Sequence, residues 1–160
     1  MGGAQDDMNR TDGSLSLTWV SKLKDYVQLI KFTLSFMVVF SSVISYMLVP
    51  CVTEYDFIQI LLLLTGGMLV TGSANAVNQI TEASTDALMK RTANRPVASG
   101  RMSKTEAGIF AFLSGLIGSL ILGVYFSWEA AALSVLSLFI YGFIYTPMKK
   151  VNSTAVLIGA

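Results

Sequence analysis

Residues 57–81 read FIQILLLLTGGMLVTGSANAVNQIT, a run of 25 residues without a charged side chain. A helix of about 20 mostly apolar residues crosses the hydrocarbon core of a bilayer, which is about 30 Å thick. The run is therefore long enough to form a transmembrane helix. Polar residues enter toward its C-terminal end, and polar groups at membrane depth usually face a cavity or the interior of a helix bundle.

Three further uncharged runs of similar length occur, at Phe32–Pro50, Ala107–Trp128 and Ala130–Met148. Hydrophobic residues make up 53% of the chain and charged residues 13%, against about 25% charged residues in a typical soluble domain. Buried helices of a large soluble protein are the alternative, but 160 residues leave no amphipathic shell to cover four such runs. The sequence predicts an all-α, polytopic membrane helix bundle with four complete transmembrane helices.

The last ten residues, Val151–Ala160, read like the start of a fifth transmembrane helix. Ten helical residues rise only about 15 Å, which is half of the hydrocarbon core. We therefore expect the chain to be the N-terminal part of a longer membrane protein.

The basic residues occur only in every second segment outside the four runs, and these segments lie on one side of the membrane if each run crosses it. All eleven precede the first run, separate the second from the third, or follow the fourth: Arg10, Lys22, Lys24, Lys31, Lys90, Arg91, Arg95, Arg101, Lys104, Lys149 and Lys150. Lysine and arginine concentrate in cytoplasmic loops. The pattern predicts an integral membrane protein with a cytoplasmic N-terminus, and we expect the membrane to be the bacterial inner membrane. Trp128 then lies near the outer boundary, where interface aromatic residues are expected.

The N-terminal region divides into two parts. Residues 1–19 are polar and predict a disordered cytoplasmic tail, while residues 20–160 form the membrane domain. Within 20–31, Val20, Leu23, Val27 and Ile30 share one helical face, which predicts an interfacial helix leading into the first span.

Several kinds of chemistry are excluded by composition. The chain has no histidine and a single cysteine, Cys51, so it offers no Ser-His-Asp triad, no histidine-based zinc site and no intrachain disulfide. A net charge of +1 gives no basic field, and we expect no nucleic-acid partner.

Asn78, Glu82 and Asp86 follow one another at intervals of four residues, which places them in one stripe on a helix. Carboxylate and amide oxygens suit Mg²⁺, which is commonly held by one or two carboxylates together with substrate phosphates. Arg91 and Arg95 come soon after, and arginine binds phosphate oxygens in a bidentate manner. The pattern favours a metal–diphosphate site. The alternative is structural, since Asp86 and Lys90 form an ordinary helical pair and cytoplasmic loops are basic anyway.

The stripe and the segment MKRTANRPV at 89–97 resemble the first aspartate-rich motif of the UbiA-type membrane prenyltransferases, and within them the haem O synthases. A Tyr-Thr-Pro-Met-Lys segment at 145–149 is similar to one in the same group. Glu82 stands where many relatives have aspartate. The resemblance covers about residues 24–160. It implies a fold of roughly nine helices whose second aspartate-rich motif would lie beyond Ala160.

The resemblance also implies roles for individual residues. Asn78, Glu82 and Asp86 are expected to hold Mg²⁺ and, with Arg91 and Arg95, to form the catalytic set. Diphosphate and substrate contacts are expected from Asn75, Lys90, Arg101, Tyr145 and Lys149.

The implied reaction transfers a farnesyl group from farnesyl diphosphate to a vinyl group of haem B, giving haem O. Haem A synthase would be a downstream partner, and membrane lipid surrounds the protein. Two alternatives stay open at this point. One is a UbiA-type enzyme that prenylates an aromatic quinone precursor or a glycerol-phosphate lipid. The other is a non-enzymatic transport or assembly protein whose polar stripe lines a pathway through the membrane.

Overall fold

A computed structural model describes residues 19–49 and 56–145. The described part contains helices and turns and no strand. The helices are α1 (Trp19–Leu29), α2 (Phe32–Met47), α3 (Phe57–Leu88), α4 (Lys104–Tyr125) and α5 (Trp128–Phe139), and α5 continues as a π-helical segment, Ile140–Tyr145. Each of the four uncharged runs therefore contains a helix, and α3 extends seven residues beyond the run that predicted it.

Two of these helices, α3 and α4, are each long and apolar enough to cross a membrane. The helices α1 and α2 meet the same criterion only as a pair, and they are bent by 52° at the break between them. The apolar helix at Trp128–Gly142 is shorter. These features confirm the predicted fold class, an all-α membrane helix bundle, and the protein is an integral membrane protein. Residues 1–18 and the predicted start of a fifth helix at 151–160 lie outside the described residues.

Side chains at the N-termini of three helices explain where these helices begin. Asp56 accepts a hydrogen bond from the backbone N–H of Ile58 at 2.9 Å, and Ser127 accepts one from Ala130 at 3.1 Å. Ser103 accepts from the N–H of Glu106 at 3.0 Å. Each contact satisfies one of the backbone donors that the first turn of a helix leaves without a partner.

The packing of α3 against α4 depends on small residues. A side-chain methyl group added at Gly118 would lie 2.8 Å from the carbonyl oxygen of Gly66, so no larger residue fits there without moving the backbone. Ser73 donates to the carbonyl oxygen of Ala111 at 2.7 Å, and a methyl group at Gly115 would meet the Ser73 hydroxyl at 2.8 Å. The small residues at every fourth position of α4 are buried, as a closely packed helix pair requires: Ala107, Ala111, Gly115, Ser119 and Gly123.

The end of the bundle at which α1 meets the C-terminal part of α3 has a small core of its own. It joins α1, α3, α4 and the loop between α3 and α4 through Leu29, Ala76, Ala83, Val97, Met102, Ala107 and Ala111. The outward sides of the helices carry large exposed apolar side chains, such as Phe112 on α4 and Phe139 on α5. In a membrane these sides face lipid. The buried polar side chains near the end of α3 lie away from these sides, inside the bundle.

Candidate active site

The predicted stripe lies in the C-terminal part of α3, from Asn78 near the end of the uncharged run to Asp86 beyond it. Asn78 and Asp86 are buried, and the side chain of Glu82 is 14% exposed. The amide nitrogen of Asn78 donates to a carboxylate oxygen of Glu82 at 3.2 Å. The structure thus brings the three residues to one inward face of the helix, as their spacing predicts.

Arg95 joins this stripe from the loop that follows α3. One of its guanidinium nitrogens lies 2.6 Å from a carboxylate oxygen of Asp86 and 3.9 Å from one of Glu82. Asn78, Glu82, Asp86 and Arg95 therefore form one continuous polar cluster, which we call the α3-end cluster. A charge-assisted hydrogen bond of this length is among the stronger contacts in a protein.

The loop after α3 is folded tightly enough to position Arg95. The hydroxyl group of Thr92 donates to the backbone carbonyl of Asp86 at 3.0 Å, and the N–H of Met89 donates to the same oxygen at 3.2 Å. Pro96 and Val97, directly after Arg95, are buried. The MKRTANRPV segment thus turns back over the end of its own helix, and the arginine returns to the acidic residues.

Asp86 does not pair with Lys90, contrary to the structural alternative. The helix α3 ends at Leu88, so Lys90 lies beyond the last helical turn and is exposed. Arg91 is exposed as well. Neither side chain forms an ion pair with the part of the chain that the structure describes, so both remain at the surface beside the cluster.

Arg101 and Asn75 have partners outside the α3-end cluster. The guanidinium group of Arg101 contacts a carboxylate oxygen of Asp25 at 2.9 Å and the backbone carbonyl of Asn94 at 2.9 Å. The amide of Asn75 donates to the carbonyl of Ile30 at 3.1 Å and to the Ser35 hydroxyl at 3.0 Å. In this structure both residues connect the N-terminal helices to the rest of the bundle, and their predicted substrate contacts stay predictions.

Gln79 was missed by the sequence prediction. Its amide nitrogen donates to the carbonyls of Gln28 at 3.2 Å and Leu29 at 2.9 Å, while its own oxygen is buried without a hydrogen-bond partner among the described residues. These carbonyls lie at the end of α1, where the chain breaks at Lys31 with a φ of 49°. A buried glutamine beside Asn78 indicates a polar partner, but the sequence does not reveal that the partner is backbone.

Two predicted substrate-binding residues belong to the last part of the chain. Tyr145 is the final residue of the π-helical segment, and the structure describes only its backbone. Lys149 lies outside the described residues. Their predicted roles are therefore untested.

The donor atoms of the α3-end cluster fit a magnesium ion that is shared with phosphate. The carboxylates of Asp86 and Glu82 lie 2.6 Å and 3.9 Å from the same guanidinium nitrogen, and the side-chain amide of Asn78, which contacts Glu82, carries a further oxygen donor. No group of three or more acidic, cysteine or histidine side chains that could hold a metal ion occurs among the described residues. Mg²⁺ commonly takes one or two carboxylates and completes its octahedron with waters and substrate phosphates.

A comparison with models of known protein families assigns the chain to one of them. The model of the UbiA prenyltransferase family matches residues 33–160, which include the α3-end cluster. The chain belongs to the UbiA prenyltransferase family. This confirms the resemblance predicted from the motif at the end of α3. No solved structure matches the chain.

Curated UbiA relatives share much of the sequence. The chain is 44% identical over 140 residues to a protoheme IX farnesyltransferase of Cytophaga hutchinsonii, covering 88% of this chain and 49% of the relative. It is 40% identical over 154 residues to the protoheme IX farnesyltransferase of Flavobacterium johnsoniae, with 96% and 50% covered. A mitochondrial protoheme IX farnesyltransferase of Arabidopsis thaliana is 36% identical over 135 residues, with 84% and 31% covered. The chain thus spans about half the length of the bacterial relatives.

Proposed function

We propose that this chain is part of a protoheme IX farnesyltransferase, which transfers the farnesyl group of farnesyl diphosphate to a vinyl group of haem B and so forms haem O. The observation that carries the proposal is the α3-end cluster: one buried and one partly buried carboxylate, an amide and an arginine within the part that matches the UbiA family. The names of the most similar curated relatives support the choice of donor and acceptor.

The chemical requirement is cleavage of the allylic carbon–oxygen bond, which leaves negative charge on the departing diphosphate. Glu82, Asp86 and Asn78 would hold Mg²⁺, which neutralises that charge when it is bound. Arg95 lies against both carboxylates and adds a fixed positive charge at the same place. Lys90 and Arg91 are exposed beside it and are available to phosphate oxygens. Groups that are held in position before the reaction stabilise the transition state more than the ground state.

The farnesyl chain would lie among the apolar helices, which also keep water away from the allylic cation until it has reacted with the vinyl carbon. A water molecule would then add to the carbocation that this addition creates and lose a proton, which leaves the hydroxyl group of the product. The chain contains no histidine, so haem iron would be held by another residue type or by another part of the whole protein.

The topology belongs to the same proposal. The N-terminus, the loop between α3 and α4 and the α3-end cluster would face the cytoplasm, because all eleven basic residues fall on that side of the predicted spans. We place the protein in the bacterial inner membrane, with haem A synthase as the enzyme that receives its product.

The acceptor is tested with a chimera in which this chain replaces the aligned part of the Cytophaga hutchinsonii relative. Membranes that contain the chimera are supplied with farnesyl diphosphate, Mg²⁺ and either haem B or 4-hydroxybenzoate, and the products are separated by mass. The unmodified relative serves as the control. We expect haem O and no prenylated benzoate. Prenylated benzoate, or no product from a chimera that folds, would contradict the proposal.

A further inference from the structure

The side chains of α1 divide into three sides that meet three different surroundings. At about 100° per residue, the sides lie about 120° apart around the helix. The first side faces the bundle, with Lys22, Asp25 and Leu29. The second is polar and exposed, with Ser21, Lys24 and Gln28. The third is apolar and exposed, and we call it the α1 apolar side: Trp19, Val20, Leu23 and Val27.

The bundle side of α1 is fixed by ion pairs and packing. Lys22 lies 3.0 Å from a carboxylate oxygen of Glu106 at the start of α4, and Tyr26 donates to the same oxygen at 3.0 Å. The guanidinium Nε of Arg101 lies 2.9 Å from a carboxylate oxygen of Asp25. Leu29 is fully buried in the core at this end of the bundle. The orientation of α1 about its own axis is therefore determined, and so is the direction in which its apolar side points.

Most of the surface of the α1 apolar side is exposed, and exposed apolar surface of this kind is unfavourable in water. Trp19 is 74% exposed and Leu23 is 67% exposed, and together with Val20 and Val27 they form a continuous patch. The patch runs on into the exposed apolar side chains of α2, beginning at Phe32. An open hollow of about 420 Å³ lies in the bend between the two helices, lined by Val27, Gln28, Lys31, Phe32, Thr33 and Leu34.

We propose that α1 lies on the surface of the bilayer and inserts its apolar side into the boundary between lipid headgroups and acyl chains. The alternative is that α1 and α2 form one bent span, with α1 inside the hydrocarbon. Lys22, Lys24 and Asp25 oppose that alternative, because charged groups are costly in the hydrocarbon core. The bend of 52° turns α1 out of the direction of α2 and toward the plane of the bilayer.

Continuity with α2 identifies lipid as the surface that covers the patch. The exposed apolar side chains of α2 belong to the outward surface of an integral membrane protein, so lipid covers them, and the adjoining patch on α1 reaches the same lipid at the headgroup level. The polar side, with Lys24, then points to the water and to anionic headgroups. The proposal concerns membrane association alone, and it does not depend on the proposed prenyl transfer.

Tryptophan fluorescence tests the position of α1 directly, because the chain has only Trp19 and Trp128. The Trp128→Phe variant of the whole chain is placed in phosphatidylcholine nanodiscs whose acyl chains carry bromine either near the headgroups or near the chain ends. We expect the shallow bromines to quench most of the Trp19 emission and the deep bromines to quench little of it. Acrylamide in the water should also quench it weakly.

Charge substitutions on two sides of α1 provide the matched control. Leu23→Glu, made on the Trp128→Phe background, is expected to abolish the shallow quenching, whereas Ser21→Glu on the polar side is expected to preserve it. Stronger quenching by deep bromines would show that α1 is part of a bent span and would overturn the proposal. An absence of quenching by either lipid would also overturn it. In that case, strong quenching by acrylamide would show that Trp19 is exposed to water, and weak quenching would show that it is covered by protein.

Discussion

Asp86 is a carboxylate at the end of a membrane helix, and its surroundings explain why it is paired with Arg95. The residue is 2% exposed, and an ionised carboxylate without a partner at such a position would be strongly destabilising. The 2.6 Å contact with Arg95 offsets that cost. Under the proposed function, the same proximity would keep a positive charge where a diphosphate binds, so Arg95 would serve both stability and chemistry.

The double role of Arg95 predicts a difference between two arginines of the same loop. Arg95→Gln leaves the buried Asp86 without its partner and is expected to lower the free energy of unfolding by about 3 kcal/mol. Arg91→Gln removes an exposed side chain and is expected to change it by no more than about 0.5 kcal/mol. Thermal unfolding in detergent measures both. Equal unfolding temperatures for the two variants would show that the Asp86–Arg95 pair contributes nothing to stability.

Gln79 stabilises the break between α1 and α2 by donating to two backbone carbonyls. Gln79→Met keeps the volume but removes both donors, and we expect a loss of about 2 kcal/mol, the cost of leaving buried carbonyls unpaired. Thr65→Ala is the matched control, because Thr65 lies exposed on the same helix and bonds only within its own turn. The measurement is again the unfolding temperature. The role assigned to Gln79 is wrong if the two variants unfold at the same temperature.

At the scale of elements, the contact between α3 and α4 determines the shape of the described bundle. Glycine and serine let the two backbones approach closely, and in lipid this packing replaces the hydrophobic effect as the source of association. Ser134 of α5 also reaches Ser119 of α4 at 2.9 Å. The α3-end cluster depends on this frame, because α3 is held against α4 along most of its length.

The close approach predicts that two glycines of α4 respond differently to the same change. Gly118→Ala places a methyl group 2.8 Å from the carbonyl oxygen of Gly66, and we expect a loss of about 1–3 kcal/mol from the forced separation. Gly108→Ala places its methyl group in open space and is expected to be neutral or slightly stabilising. Unfolding temperatures of the two variants in the same detergent decide the point. A stable Gly118→Ala variant would contradict the packing.

The sequence predicted the helices well because each is encoded locally. Four uncharged runs gave four helices, and the caps at Asp56, Ser103 and Ser127 determine where three of them begin. The bend between α1 and α2 could not be predicted, because it depends on side chains of α3 that bond to the carbonyls at the break. The extension of α3 to Leu88 was likewise not visible in a count of apolar residues.

The spacing predicted which residues of the candidate site lie together on α3, while their roles in binding and catalysis stay predictions. Asn78, Glu82 and Asp86 lie together because a helix brings every fourth residue to one face. Arg95 returns to them only because its loop folds over the helix end, and the motif resemblance was needed to include it. Arg101, also basic and close in sequence, pairs with Asp25 instead. Spacing alone does not distinguish the two arginines, since the difference arises from tertiary contacts.

On the scale of the whole molecule, the polar and charged side chains of the described residues are concentrated at one end of an apolar bundle. The cluster, the basic loop and the polar side of α1 gather there, while the outward helix sides carry large apolar residues. The chain covers 49% of the Cytophaga hutchinsonii relative. We therefore expect the site to be shared between this chain and the rest of a longer protein.

This sharing predicts the behaviour of the isolated chain. The purified 160-residue chain is expected to show no turnover with farnesyl diphosphate and haem B, whereas the chimera with the Cytophaga hutchinsonii relative is expected to form haem O. The physical reason is that two carboxylates and one arginine provide only part of the ligands and charges that a diphosphate and its metal ion require. Turnover by the isolated chain would contradict it.

The most direct test of the central claim, that the α3-end cluster is the diphosphate site of a prenyltransferase, is the Asp86→Asn variant of the chimera. Its haem O formation from farnesyl diphosphate and haem B is measured at saturating Mg²⁺ beside the unsubstituted chimera, with equal amounts of folded protein in the membrane. Removing this charge is expected to lower turnover by at least about 100-fold. Unchanged formation of haem O by the Asp86→Asn variant would contradict the account.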